Sequence, residues 1–103
     1  MREILFAALI VAASPASARD YPPIMSSVTP IQVAPHAYYV QGGAGLASAA
    51  NEGYNSNAGF VVTADGVVVI DALGTPALGN AFLGAIRSVT RQEIGRASCR
   101  ERV

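Results

Sequence analysis

Asn57-Ala58-Gly59-Phe60-Val61-Val62-Thr63-Ala64-Asp65-Gly66-Val67-Val68-Val69-Ile70-Asp71 is the stretch that decides the fold. Two β-branched runs flank an Asp-Gly pair. This is the strongest short-range hairpin signal, because the turn needs a positive φ that glycine adopts at little cost. The second run, Val67 to Ile70, is apolar at every position instead of alternating. Such a strand is expected to be buried on both faces, as in a layered α/β protein or a β-sandwich. Asp71 ends the run with a carboxylate.

Downstream, Gly74-Thr75-Pro76 predicts a helix start. Thr75 suits the N-cap, and Pro76 suits the first helical position, where its missing N–H is not needed. Leu78, Ala81, Phe82, Ala85, Ile86 and Val89 recur at helical spacing and form one apolar stripe that needs a sheet to lie on. Gly79 and Gly84 weaken this helix by about 1 kcal/mol each relative to alanine. Upstream, Ile31 to Val40 has strand character, but Pro35 interrupts it, predicting two short strands joined by a turn, or an edge. Gln41 to Gly53 is small and polar and reads as a mobile loop. Tyr21-Pro22-Pro23-Ile24 reads as an extended, proline-stiffened arm.

The two ends read differently from the middle. Met1-Arg2, the apolar run Ile4 to Ala13, the break at Ser14-Pro15 and the small residues Ala16-Ser17-Ala18 have the order of a secretory signal peptide cut between Ala18 and Arg19. The apolar run is about half the roughly 20 residues of a membrane span. Glu93 to Val103 resembles a short-read sequencing adapter translated as codons. The expected organisation is therefore a signal peptide over 1–18, an arm over 19–30, the start of a domain over 31–92, and a non-native tail over 93–103.

Between Arg19 and Gln92, three arginines face four carboxylates, and lysine occurs nowhere in the chain. Nucleic acid and anionic lipid demand clustered positive charge, so neither is an expected partner. The single cysteine, Cys99, lies in the tail. The rest of the chain has no thiolate nucleophile and no disulfide, which is ordinary in a bacterial periplasm.

Asp71 is the leading candidate for chemistry. It sits at the C-terminal end of a buried strand, before a short loop and a helix, where layered α/β folds gather their sites. The plainer role is capping the following turn. His36 is the sole histidine and cannot build a zinc site, which needs three or four ligands. No G-x-S-x-G elbow supports Ser-His-Asp chemistry. Gly42-Gly43-Ala44-Gly45 fits neither phosphate-loop template and reads as a flap. Asn51, Glu52, Asn55 and Asn57 read as turn residues that bond the backbone through their side chains, with lining of a cleft as the alternative.

The ordered combination resembles the opening of a metallo-β-lactamase-fold hydrolase, in particular its exported subgroup. The resemblance is carried by Ile31 to Val40, the glycine-rich flap, Asn57 to Val62, Gly66 to Asp71, and Gly74-Thr75-Pro76 with its helix. It implies an α/β fold that is part of an αββα sandwich, with only the opening strands and first helix present. It implies that Asp71 is the family's strand-end aspartate, which supports the metal-binding loops without ligating metal, although Asp71-Ala72-Leu73-Gly74 stands where many members have Asp-Thr-Gly. Gly42, Gly43 and Gly45 would belong to the substrate flap.

The family's H-x-H-x-D-H motif would follow the next strand, which would start at about Glu93. The intact protein would then use Zn2+, which lowers the pKa of bound water to near 7, to hydrolyse a small-molecule substrate in the periplasm or outside the cell. The chain as written holds no metal ligand set, and no zinc is expected on it. The alternative is a small exported binding module without catalysis, using the flap and Tyr38/Tyr39 as a contact surface.

Overall fold

The computed structural model describes residues 21–98. The signal-peptide reading of 1–18, the first two residues of the arm and the end of the tail fall outside the described residues. Five strands and one helix follow one another: β1 (Ile31–Ala34), β2 (Ala37–Val40), β3 (Ala58–Thr63), β4 (Gly66–Ile70), α1 (Pro76–Val89) and β5 (Ile94–Ser98). They form one sheet in the order β1-β2-β3-β4-β5. The first four strands are an antiparallel meander, and β5 joins β4 in parallel. The parallel pair requires a crossover, and α1 supplies it. The chain is thus an α/β unit with a mixed sheet and one helix.

Each element has a local cause. Pro35 and His36 form the turn between β1 and β2, with His36 at φ +67°. In the central hairpin Thr63 pairs with Gly66, so the loop residues are Ala64 and Asp65. Glycine takes the positive φ, as the sequence suggests, but it does so as the first residue of β4, at +137°. A Cβ there would also lie 2.9 Å from the Glu93 carbonyl oxygen. Thr63 closes the turn by donating its hydroxyl to the Gly66 carbonyl at 2.7 Å. At the helix start, the Thr75 hydroxyl accepts from the Leu78 amide at 3.1 Å, and Pro76 opens the first turn. Arg87, in the last turn, donates to the Gln92 carbonyl and ties down the link to β5.

The core lies between α1 and one face of the sheet. Phe82, Ala85 and Ile86 pack against Val40, Ala58, Phe60, Val67 and Val69. Phe60 is the hub: its ring stacks on Tyr38 with centroids 5.1 Å apart and meets Phe82 edge-on at 6.0 Å. The expectation that Val67 to Ile70 is buried on both faces is corrected. Val67 and Val69 are buried beneath the helix, Val68 is half-buried, and Ile70 is 53% exposed. One helix covers one face, and successive side chains of a strand point to opposite faces. The other face carries Ile31, Tyr39, Val61, Val68 and Ile70, and no described element covers it.

β5 pairs along the free side of β4 from Val67↔Ile94 to Ile70↔Ser98. Ile94, Gly95, Arg96 and Ala97 are all exposed, so backbone hydrogen bonds and not buried side chains hold this strand. None of the described helices is long and apolar enough to cross a membrane.

Phe60→Ala is expected to cost about 3–5 kcal/mol, the range for deleting a buried ring, and Ile70→Thr on the open face within about 1 kcal/mol. Urea denaturation of both variants checks the contrast. Similar losses would mean that the open face is covered in solution.

Candidate functional site

The strand ladder sorts the polar residues to two ends of the sheet. Val40 pairs with Ala58, Gly59 with Ile70, and Ile70 with Ser98. Gln41-Gly42, Asn57 and Asp71 therefore leave the sheet at one end, where β5 also finishes. The Pro35-His36 turn, the Ala64-Asp65 turn and Glu93 occupy the other end. His36 and Asp71 thus lie at opposite ends and cannot act on one ligand together. The His36 backbone has a structural task, accepting from the Val62 amide at 2.8 Å.

Asp71 is held in an unusual conformation. Its φ is +67°, and Leu73 follows at +66°. Positive φ is uncommon for residues other than glycine, and bulky side chains tolerate it less well than Asp. The Asp71 carboxylate offsets the strain by accepting from the Ala72 amide at 2.6 Å and the Leu73 amide at 3.1 Å, both on Oδ1. Leu73 is kept in place because its side chain packs against the core. The turn-capping role anticipated for Asp71 is therefore present, and it shapes the connection into α1.

The glycine-rich segment is a loop closed by its own asparagines. Asn51 Oδ1 accepts from Ser48 N at 2.8 Å and Gly53 N at 2.9 Å, and its Nδ2 donates to the Leu46 carbonyl at 2.8 Å. Asn55 Nδ2 donates to the Gly45 carbonyl at 3.0 Å, and Asn57 Oδ1 accepts from Gly42 N at 3.0 Å. These three residues serve turns, as their sequence suggests. Gly42 is required sterically, since a Cβ there would meet the Ser56 carbonyl oxygen at 2.4 Å. Gly43 N donates to the Tyr54 carbonyl at 2.9 Å, and Gly45 takes φ +103°. The segment read as mobile thus has a dense set of internal bonds. Its Gly53 end rests on the helix entry: a Cβ on Gly53 would lie 3.6 Å from the Thr75 methyl, and one on Gly74 3.8 Å from the Gly53 carbonyl oxygen.

Two residues of this loop have contacts that composition does not disclose. Tyr54 is buried, its hydroxyl has no hydrogen-bond partner among the described residues, and burial pushes its phenol above the ordinary value. Glu52, grouped with the asparagines as a turn residue, reaches the arm instead. Its Oε1 accepts from Met25 N at 2.6 Å, and its Oε2 accepts from Ser26 N at 2.7 Å and Ser26 Oγ at 2.6 Å. The Ser26 hydroxyl, then the Met25 and Ser26 amides, hold its carboxyl below the usual value.

Tyr38 and Tyr39 do not form one contact surface. Tyr38 packs on Phe60 on the helix side, while Tyr39 lies on the open face, its hydroxyl donating to Gln41 Oε1 at 3.1 Å. An open depression of about 340 Å³ lies between the Thr63–Val68 hairpin and Gly95-Arg96, at the turn end and away from Asp71. It lies on part of the tail, Gly95-Arg96, so the strand-end cluster is the better candidate. Among the described residues, no three His, Cys, Asp or Glu side chains come together to hold a metal ion. No protein-family model matches the chain, and no curated protein matches it.

Asp71→Ala removes two amide bonds and leaves a β-carbon at positive φ. It is expected to cost about 2–3 kcal/mol, and Asp71→Asn under about 1 kcal/mol, in thermal or urea unfolding. Glu52 sets a pH dependence. Because its folded pKa is depressed, its contribution is complete above the unfolded value near 4.5 and fades as pH falls through the lower folded value. An NMR titration of the Ser26 amide should show the arm contact intact at neutral pH and lost only in acid below the ordinary glutamate range. Loss near pH 6 would contradict this.

Proposed function

We propose that this chain is the N-terminal part of an exported metal-dependent hydrolase of the metallo-β-lactamase superfamily, with its metal ligands carried by the native sequence that follows Gln92 in the intact protein. The observation that carries the reading is the parallel crossover. β4, the Asp71 loop and the capped helix follow in the order expected from the resemblance, and the chain then returns parallel to β4. The returning strand is formed here by Ile94–Ser98 of the tail, in the lane that the next strand of the intact protein would take, with Ile70 paired to Ser98. Chain leaving β5 therefore emerges beside Asp71. A ligand motif placed directly after such a strand would be delivered to the strand-end aspartate and the helix-entry loop, which is where α/β sheets gather their sites.

The one-sided core also supports the finer fold. α1 covers one face, and the apolar Ile31, Val61, Val68 and Ile70 face is the surface on which a second sheet of an αββα sandwich would pack. In this reading Asp71 works through its loop. Its carboxylate fixes the Ala72 and Leu73 amides and so the path of the chain between β4 and α1. Gly42, Gly43 and Gly45 stand in the loop that leaves the same end of the sheet.

The residues described do not fit a zinc site. The one histidine lies at the far end of the sheet from Asp71, and no ligand cluster exists among the described residues. No catalytic step is therefore assigned to them. A non-catalytic exported module remains the competing reading, with Tyr39 and not the tyrosine pair available on the open face.

The test is the genomic reading frame past Gln92. A histidine-rich H-x-H-x-D-H within about 20 residues, the length of a strand and loop, is the expected result. A stop codon or an unrelated motif there would overturn the hydrolase reading. The purified 103-residue chain is expected to retain no stoichiometric zinc after dialysis and to turn over no ester, β-lactam or thioester probe, as measured by metal analysis and chromogenic assay.

A further inference from the structure

The arm contact stands apart from the strand-end site. The Glu52 carboxylate accepts three hydrogen bonds from two successive residues, Met25 and Ser26, which lie 27 and 26 positions away in sequence. Both oxygens are used, Oε1 by one amide and Oε2 by an amide and a hydroxyl. Glu52 also holds φ +55°, a conformation in which glycine or asparagine would be relaxed. Keeping a glutamate there retains backbone strain whose local return is the carboxylate contact. On its other side, Glu52 is followed by Gly53, whose backbone lies against Gly74 and Thr75 at the helix entry. Two residues beyond Ser26, Val28 packs against the core.

We propose that Glu52 is a buckle: it fastens the N-terminal arm to the glycine-rich loop, and the arm thereby straps that loop onto the helix entry beside Asp71. The arm is a structural strap and not a passive leader into β1. The loop's own asparagine bonds set its shape, and the buckle sets its position. This inference does not depend on the hydrolase reading, since it concerns only contacts within residues 25–75.

Amide hydrogen exchange by NMR on the full chain tests it. The probes are Ser26 N for the arm, and Gly43 N and Tyr54 N for the loop, which donate to Tyr54 O and Asn51 O. Val62 N, which donates to His36 O, reports on the sheet. Glu52→Gln keeps the shape but has one acceptor where two are needed, so its NH2 group faces a donor. It should speed exchange at both arm and loop probes by about tenfold or more, with Val62 unchanged.

Faster exchange at the arm alone, or at neither, overturns the proposal. If Val62 also loses protection, Ser26→Ala, which removes only the hydroxyl bond, is judged by the same pattern of probes. Glu52→Gly adds a control, because it relaxes the backbone while removing the carboxylate. Loop probes at least as protected in that variant as in the wild type would overturn the buckle, and loosened ones would support it.

Discussion

The packing of α1 on a single face of the β2–β4 sheet is the contact on which the rest of the molecule depends, and Phe60 is its centre. The ring is 1% exposed and lies between Tyr38 of the neighbouring strand and Phe82 of the helix. The alternation of the strands places Val40, Ala58, Val67 and Val69 around it on the same face. A helix that contains Gly79 and Gly84 is not stable on its own account, since short helices in water are marginal even with good formers. It forms because its apolar stripe has a sheet to cover. With the helix in place, its connections follow: the Asp71 loop must turn the chain up from β4, and the Gln92 link must bring it back alongside.

Antiparallel pairing imposes a second constraint, on chemistry. A meander sends alternate connections to opposite ends of the sheet, so the position of a residue along the chain decides which neighbours it can ever meet. His36 and Asp65 share one end, and Gln41, Asn57 and Asp71 share the other. The only described histidine is thereby separated from the Asp71 carboxylate by the length of a strand. The parallel strand β5 breaks the alternation and returns the chain to the Asp71 end. Asp71 and Leu73, both at positive φ, shape the connection that leaves the sheet at that end.

Much of the local structure was legible in the sequence because its causes are local. Thr75-Pro76 predicts the helix start, Pro35 predicts the break between β1 and β2, and the valine runs predict the hairpin. The asparagines were legible as turn residues because an amide side chain finds nearby backbone wherever the chain bends. Two features were not. An all-apolar run at Val67 to Ile70 states that a strand can be buried, but whether a second layer reaches it depends on elements elsewhere, and Ile70 remains open. Glu52 resembles its polar neighbours in composition, and nothing within several residues of it hints at Met25 and Ser26. That contact exists only once β1, β2 and the loop have folded back on the arm. Tyr38 and Tyr39 illustrate a smaller error of the same kind: adjacent in sequence, they belong to opposite surfaces once the strand is extended.

Strand β5 has a consequence of its own. Its described side chains lie in solvent, and its place is held by main-chain pairing to β4. Pairing of that kind reads conformation and length, not composition. Without β5, the edge of β4 would present unpaired N–H and C=O groups, the kind of edge along which another extended segment can pair. A chain built this way is a natural scaffold for two-piece reconstitution, in which a synthetic strand completes a sheet that its partner leaves one member short.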